Sequence, residues 1–290
     1  MKRTMKALLG LGLCFLIACQ PDGQLVIVPD NTPPPDLSVP EVLQENYVNK
    51  LYITLLGRKP TEIELFAAKT KLAQGGVSEA ARQEVIDQIV QEQEYLQRTY
   101  DVARAEILLN LDTFEITQTI YAFTTFLDSP AYEPFYGLIE FEIGRMRDLK
   151  EVPTAVLNAS ISRIEIQRRM VNNYFYDQIN MGSQNFVLAL FEYFLGRYPS
   201  ESELNNSVAM VDGATVVVFG QEGYNKQDFI SLFFDSDNYY EGQVINIYQD
   251  FLFRAPNSQE MSLQTIAYRQ DQNYENLLKR ILSTDEYLGL

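Results

Sequence analysis

Three arginines occupy matched settings along this chain, and the arginine fork is the side chain best shaped to grip a carboxylate or phosphate with two parallel bonds. Arg58, Arg197 and Arg254 each end an apolar stretch, and Pro60, Pro199 and Pro256 follow two residues later. Next comes Thr61, Ser200 or Asn257, and three residues beyond it Glu64, Glu203 or Glu260. Two chemistries fit this spacing. The arginines could hold an external anion, or each could tie its own turn together through helix-end carbonyls or a carboxylate of the same unit. The second reading is favoured, because the arginine recurs together with helix-capping residues.

Other reactive groups are scarce. There is no histidine and no tryptophan. Ser-His-Asp and Cys-His nucleophile systems are therefore excluded, as are zinc sites built from His and Cys. No metal or cofactor is expected. Glu140 and Glu142 could in principle serve glycoside hydrolysis, but residues two apart on a helix do not face each other. Asp235-Ser236-Asp237-Asn238 has oxygen ligands without the spacing or closing Glu of a calcium loop, and reads as a capping cluster. Clustered aromatics (Tyr132, Phe135, Tyr136, Tyr174, Phe175, Tyr176, Tyr239, Tyr240) suit packing between helices, or a surface platform for a glycan or protein.

The remaining chemistry is a thiol. Met1 to Lys6 carries three positive charges, and Ala7 to Ala18 is apolar and uncharged. That run is shorter than the about 20 residues needed to span a bilayer; a basic start and a short apolar run are parts of a secretory signal peptide. Leu16-Ile17-Ala18-Cys19 resembles the lipobox of bacterial lipoprotein precursors, which implies lipidation of Cys19 and cleavage before it. Residues 1–18 are then the signal and Cys14 leaves with it, so that no disulfide is possible. Loss of Lys2, Arg3 and Lys6 leaves 20 basic against 39 acidic residues, a net charge of −19. Such a surface repels nucleic acid and anionic headgroups, so membrane contact is expected through acyl chains alone, two or more of which anchor stably. Gln20 stands where aspartate signals inner-membrane retention in some bacteria, which points to the outer membrane.

The elements that position these residues follow. Six of the twelve prolines fall between Pro21 and Pro40, so residues 19–40 read as an extended spacer. From residue 41 the pattern turns helical: Leu43, Tyr47, Leu51 and Leu55 recur every four residues, with Ser38 and Glu41 placed to cap the start. Similar spacing recurs in Val85-Ile86-Ile89-Val90, Leu138-Phe141-Arg145, Phe186-Leu190-Phe194 and Leu277-Leu278-Ile281. Gly75-Gly76, Pro130, Pro134, Pro153, Gly182, Gly213 and Gly223 are expected to break the helices. An apolar fraction of 46% supports a folded body. The fold class is all-α, with a possible short strand or apolar insertion near 214–220.

Within this body the arginine junction is a helix–turn–helix. Gly57 and Gly196 can adopt the left-handed conformation that ends a helix. The proline cannot continue it, and Thr61, Ser200 and Asn257 are N-caps with a Glu at N3. The third copy has Phe253 in place of the glycine, so its first helix is expected to end differently. Glu94-Tyr95, Asn238-Tyr239 and Glu286-Tyr287 close the units, their tyrosines 37, 42 and 33 residues after the arginines. Units are assigned to about 41–96, 183–240 and 241–290, with an unmatched helical segment 97–182. The Leu-Gly-Arg-x-Pro-Ser/Thr-x-x-Glu-Leu pattern resembles bacterial domains of unknown function, found in secreted and surface proteins, with similar motifs in planctomycete cytochrome-associated proteins. That resemblance implies a helical repeat fold and carries no catalytic residue.

The expected function is a non-catalytic, lipid-anchored envelope module that binds a partner protein or supports an assembly. A surface binder of carbohydrate or another exported ligand is the alternative, and a hydrolase using carboxylates alone is a third reading.

Overall fold

Residues spaced by four from Leu43 to Leu55 lie along helix α1 (Glu41–Leu56), with Tyr47, Leu51 and Leu55 buried. The computed structural model describes residues 39–290. The expected signal peptide (1–18), Cys19, Gln20, Ser38 and the expected spacer up to residue 38 lie outside the described residues. The N-cap of α1 is Pro40 and no side chain caps it; instead the Gln44 amide donates to the Val39 carbonyl at 2.9 Å.

Fifteen α-helices follow one another among the described residues. After α1 come α2 (Glu62–Gln74), α3 (Glu79–Val90), α4 (Gln93–Leu108) and α5 (Thr113–Leu127). A 3-10 segment, Pro130–Phe135, leads into α6 (Tyr136–Leu157), then α7 (Arg163–Val171) and α8 (Tyr174–Ile179). The rest are α9 (Ser183–Leu195), α10 (Glu201–Val211), α11 (Lys226–Asp235), α12 (Asp237–Leu252), α13 (Ser258–Asp271), α14 (Tyr274–Leu282) and α15 (Asp285–Leu288). Val39–Leu290 forms one compact unit. None of these helices is long and apolar enough to cross a membrane.

Each arginine junction is built alike. α1–α2, α9–α10 and α12–α13 meet at a tight turn, and Thr61, Ser200 and Asn257 each form a reciprocal capping box with Glu64, Glu203 and Glu260. A third helix follows (α3, α11 or α14), and then the start of another (α4, α12 or α15). α12 runs unbroken through 240 and 241, so it both closes the middle unit and opens the third. The first and third units touch directly. Tyr47 donates its hydroxyl to the Leu282 carbonyl at 3.0 Å, Arg82 pairs with Asp285 at 2.6 Å, and Lys279 with Asp87 at 2.8 Å.

Two departures from expectation concern helix ends. Pro153 lies inside α6 instead of breaking it. Phe253, which lacks glycine's freedom, still ends α12 in the left-handed region at φ 56°, as Gly57 (73°) and Gly196 (61°) end α1 and α9. Its N–H reaches back to the Tyr248 carbonyl. A β-carbon in this conformation is strained, and the Phe253 ring is exposed, so it returns little by burial. Phe253→Gly is expected to raise stability by about 0.5–1 kcal/mol, the strain relief outweighing the added freedom of the unfolded chain. A lower urea midpoint for the variant would refute this.

The apolar run near 214–220 is a β-hairpin. β1 (Val216–Val218) pairs antiparallel with β2 (Gln221–Gly223), Val216 opposite Gly223 and Val218 opposite Gln221. Phe219 and Gly220 form a two-residue turn, both with positive φ. Phe219 also packs on Phe191 and Phe233, so the insertion contributes to the core of the middle unit. There Phe191, Phe194, Phe229, Phe233, Phe234 and Tyr239 meet mostly edge to face, the arrangement that ring quadrupoles favour.

Candidate functional site

The three arginines lie in three separate clusters of internal hydrogen bonds. Arg58 Nη1 and Nη2 grip the two oxygens of Glu64 at 2.9 and 2.8 Å. Its Nε and Nη2 grip those of Glu94 at 2.7 Å each. Nη1 also donates to the Lys59 carbonyl at 3.1 Å, so all five N–H groups have partners. Arg254 repeats this with Glu260, Glu286 and the Ala255 carbonyl. Arg197 holds Glu203 in the same way, but meets Asn238, at 3.4 Å, where the other two meet a second carboxylate. In every copy the guanidinium also lies over an aromatic ring six residues earlier: Tyr52 at 5.7 Å, Phe191 at 5.2 Å and Tyr248 at 5.0 Å.

The arrangement explains why Glu94, Asn238 and Glu286 recur immediately before the closing tyrosines. Each arginine bolts the first turn of its unit to the helix that closes it. The Arg58 and Arg197 guanidiniums hold the Glu64 and Glu203 carboxyls at about 2. Arg254 lowers Glu260 and Glu286 in the same sense. Arg58 and Arg254 turn all five N–H donors to internal partners; Arg197 turns only its two terminal nitrogens inward, and its Nε has no partner among the described residues.

The other sequence candidates separate just as clearly. Glu140 is exposed, whereas Glu142 pairs with Arg145, which also takes Asp177 and Asn172. The two carboxylates share no cleft. In the Asp235–Asn238 cluster, Asp235 pairs with Arg168, Ser236 caps α12, Asp237 pairs with Arg269 and Asn238 meets Arg197. Of the clustered aromatics, Phe175, Tyr176, Tyr239 and Tyr240 are buried. Tyr136 and Tyr174 are half-buried, and only Tyr132 and Phe135 are exposed.

Those two belong to a surface feature that the residue patterns did not single out. α5, the 3-10 segment and the first turns of α6 form a helical arm that packs mainly on itself. Ile116 is the one buried residue of α5. Phe114 and Tyr121 are each 69% exposed, Phe135 54% and Leu138 61%; Phe126, Tyr132 and Phe141 add to the same arm. Four threonines of α5 donate their hydroxyls to its own backbone carbonyls: Thr117, Thr119, Thr124 and Thr125. This removes their donors from solvent and makes the arm more apolar than its composition. Between 113 and 141 the only charges are Glu115, Asp128, Glu133 and Glu140. The available signal was the charge-free run from Ile116 to Leu127, which from sequence alone reads equally well as a core helix.

No family model matches this sequence, and no curated protein or solved structure matches it.

Proposed function

We propose that this protein is a lipid-anchored component of the bacterial cell envelope whose helical body docks a partner protein through the α5–α6 arm. The observation that carries the reading is the exposed aromatic arm on an otherwise acidic body. Single exposed apolar residues are ordinary on protein surfaces, but seven exposed large apolar side chains between 114 and 141 favour a docking surface. Two helices that expose aromatic side chains offer a surface on which a third helix could pack. Four acidic residues and no basic one along the arm favour a partner whose apolar face is bordered by lysine or arginine. The Cys19 acyl chains would tether the body to the outer membrane across the proline-rich spacer. The resemblance to Leu-Gly-Arg domains of surface proteins agrees with that location.

The test uses the full-length lipidated protein in isolated envelopes. Phe114→Ser, Tyr121→Ser and Phe135→Ser together leave the charge unchanged and replace only exposed residues. The wild type is expected to run on native gels as a larger complex, and the triple variant to lose that complex with its thermal midpoint unchanged. A variant that stays in the complex, or a wild type found only as free monomer, would overturn the docking reading. Cys19→Ala is expected to move the protein from the membrane to the soluble fraction; retention there would sink the anchor.

A further inference from the structure

Arg163, the first residue of α7, stands apart from every other arginine with a sealed Nε. Arg82, Arg104, Arg145 and Arg168 also bury an Nε without a partner, yet each holds a carboxylate through a terminal nitrogen. Arg163 has neither a hydrogen bond nor an ion pair among the described residues, and its buried Nε is unpartnered. Its guanidinium lies 4.2 Å from the centre of the Tyr274 ring. The residue as a whole is half-buried, and a buried donor such as this Nε is costly to leave without a partner.

This arginine lines a cavity of about 700 Å³, the size of a site for a small organic molecule. Three distant stretches build it: the α3–α4 turn, the α6–α7 loop and the α13–α14 turn. Val90, Leu96 and Ile161 provide apolar wall, and Asn273 and Asn276 provide polar groups. Two carboxylates also face the cavity. Asp87 is answered by Lys279 at 2.8 Å. Glu275 accepts one long bond, 3.4 Å, from the Tyr95 hydroxyl and forms no ion pair among the described residues. The cavity therefore presents one free positive and one free negative group beside an apolar wall.

We propose that this cavity binds a small amino-acid-like zwitterion, its carboxylate on Arg163, its ammonium towards Glu275 and its apolar body against Val90, Leu96 and Ile161. The two terminal nitrogens of Arg163, which no group of the described residues engages, form the two-pronged bond. The Glu275 carboxylate disfavours a multiply charged anion such as phosphate.

The full chain is titrated by calorimetry with leucine, 4-methylpentanoate, isoamylamine and inorganic phosphate, each at up to millimolar concentration. Leucine is expected to bind best, 4-methylpentanoate more weakly, and isoamylamine and phosphate weakest. Arg163→Gln should weaken leucine binding at least about ten-fold while leaving the thermal midpoint unchanged or raised, since a site kept for a ligand is held against stability. Gln91→Trp, at an exposed position of the cavity lining, should block binding without unfolding the chain. No saturable binding of leucine or 4-methylpentanoate would overturn the proposal. So would phosphate binding tighter than leucine, or leucine binding that survives both substitutions.

Discussion

Gly242→Ala is expected to lower stability by about 2 kcal/mol, although alanine is the better helix former by about 1 kcal/mol. Gly242 lies on α12 where it crosses the C-terminal end of α9. A β-carbon there would stand 2.4 Å from the Phe194 carbonyl oxygen and 2.8 Å from the Leu195 Cα. Both obstacles are backbone, so no side-chain rotation relieves the overlap and the helices must separate. Separation also stretches the bond from the Gln243 amide to that same carbonyl, now 3.1 Å, which satisfies a helix-end acceptor. The Phe194–Tyr239 contact beneath it would loosen as well. Gly144, in α6, is the control, since a β-carbon there meets nothing within 4 Å. Gly144→Ala should therefore raise stability by roughly 0.5–1 kcal/mol. Urea denaturation of both variants checks the pair; Gly242→Ala at or above wild-type stability would show that the helices can yield.

Arg58→Ala is expected to destabilise the body by about 1–3 kcal/mol at neutral pH and to flatten the acid limb of its stability profile. Exposed ion pairs contribute little on their own. Here one guanidinium holds two carboxylates through paired bonds, and it joins residues 36 apart in sequence. The pH dependence follows from the carboxyls. Glu64 sits at about 2 in the folded chain, and Glu94 is also lowered by Arg58. Unfolding returns both to the ordinary carboxylate range of about 4.3. The unfolded state then binds more protons than the folded one, so the contribution is present above about pH 5 and fades as pH falls towards 2. Thermal melts from pH 7 to pH 3 should show wild type losing more stability than Arg58→Ala. Parallel curves would mean that the carboxyls are not held by Arg58.

Much of the fold was legible because its signals are local. The capping boxes at Thr61, Ser200 and Asn257 depend on side chains reaching three residues along the same backbone, so the residue types alone imply the geometry. The same holds for the left-handed ends at Gly57 and Gly196. Phe253 broke that rule. There the residue type spoke against the conformation, and the turn into α13 adopts it all the same, with the Phe253 N–H on the Tyr248 carbonyl.

The role of Arg58, Arg197 and Arg254 was half legible. Helix-end carbonyls or a carboxylate of the same unit were expected as partners, and the carboxylates of Glu64, Glu203 and Glu260 are the ones found. The second attachment, to Glu94, Asn238 and Glu286, required knowing that the third helix returns the chain to the turn. The recurring acid or amide before each closing tyrosine was visible in the residues, but its purpose was not.

The sequence by itself determined the helices, their caps, the repeated junctions and the acidic surface. Each follows from interactions within a few residues or from composition. Only the tertiary structure decided which apolar helix faces inward and which charge is left alone. α5 and α9 are both apolar helices, yet α9 is enclosed by α10 and α12 while α5 meets mainly α6. Arg163 and Arg168 lie five residues apart on one helix; only Arg168 is met by an aspartate, Asp235, from a distant segment. Burial and pairing are properties of what the rest of the chain brings to a surface, and a local pattern does not contain them.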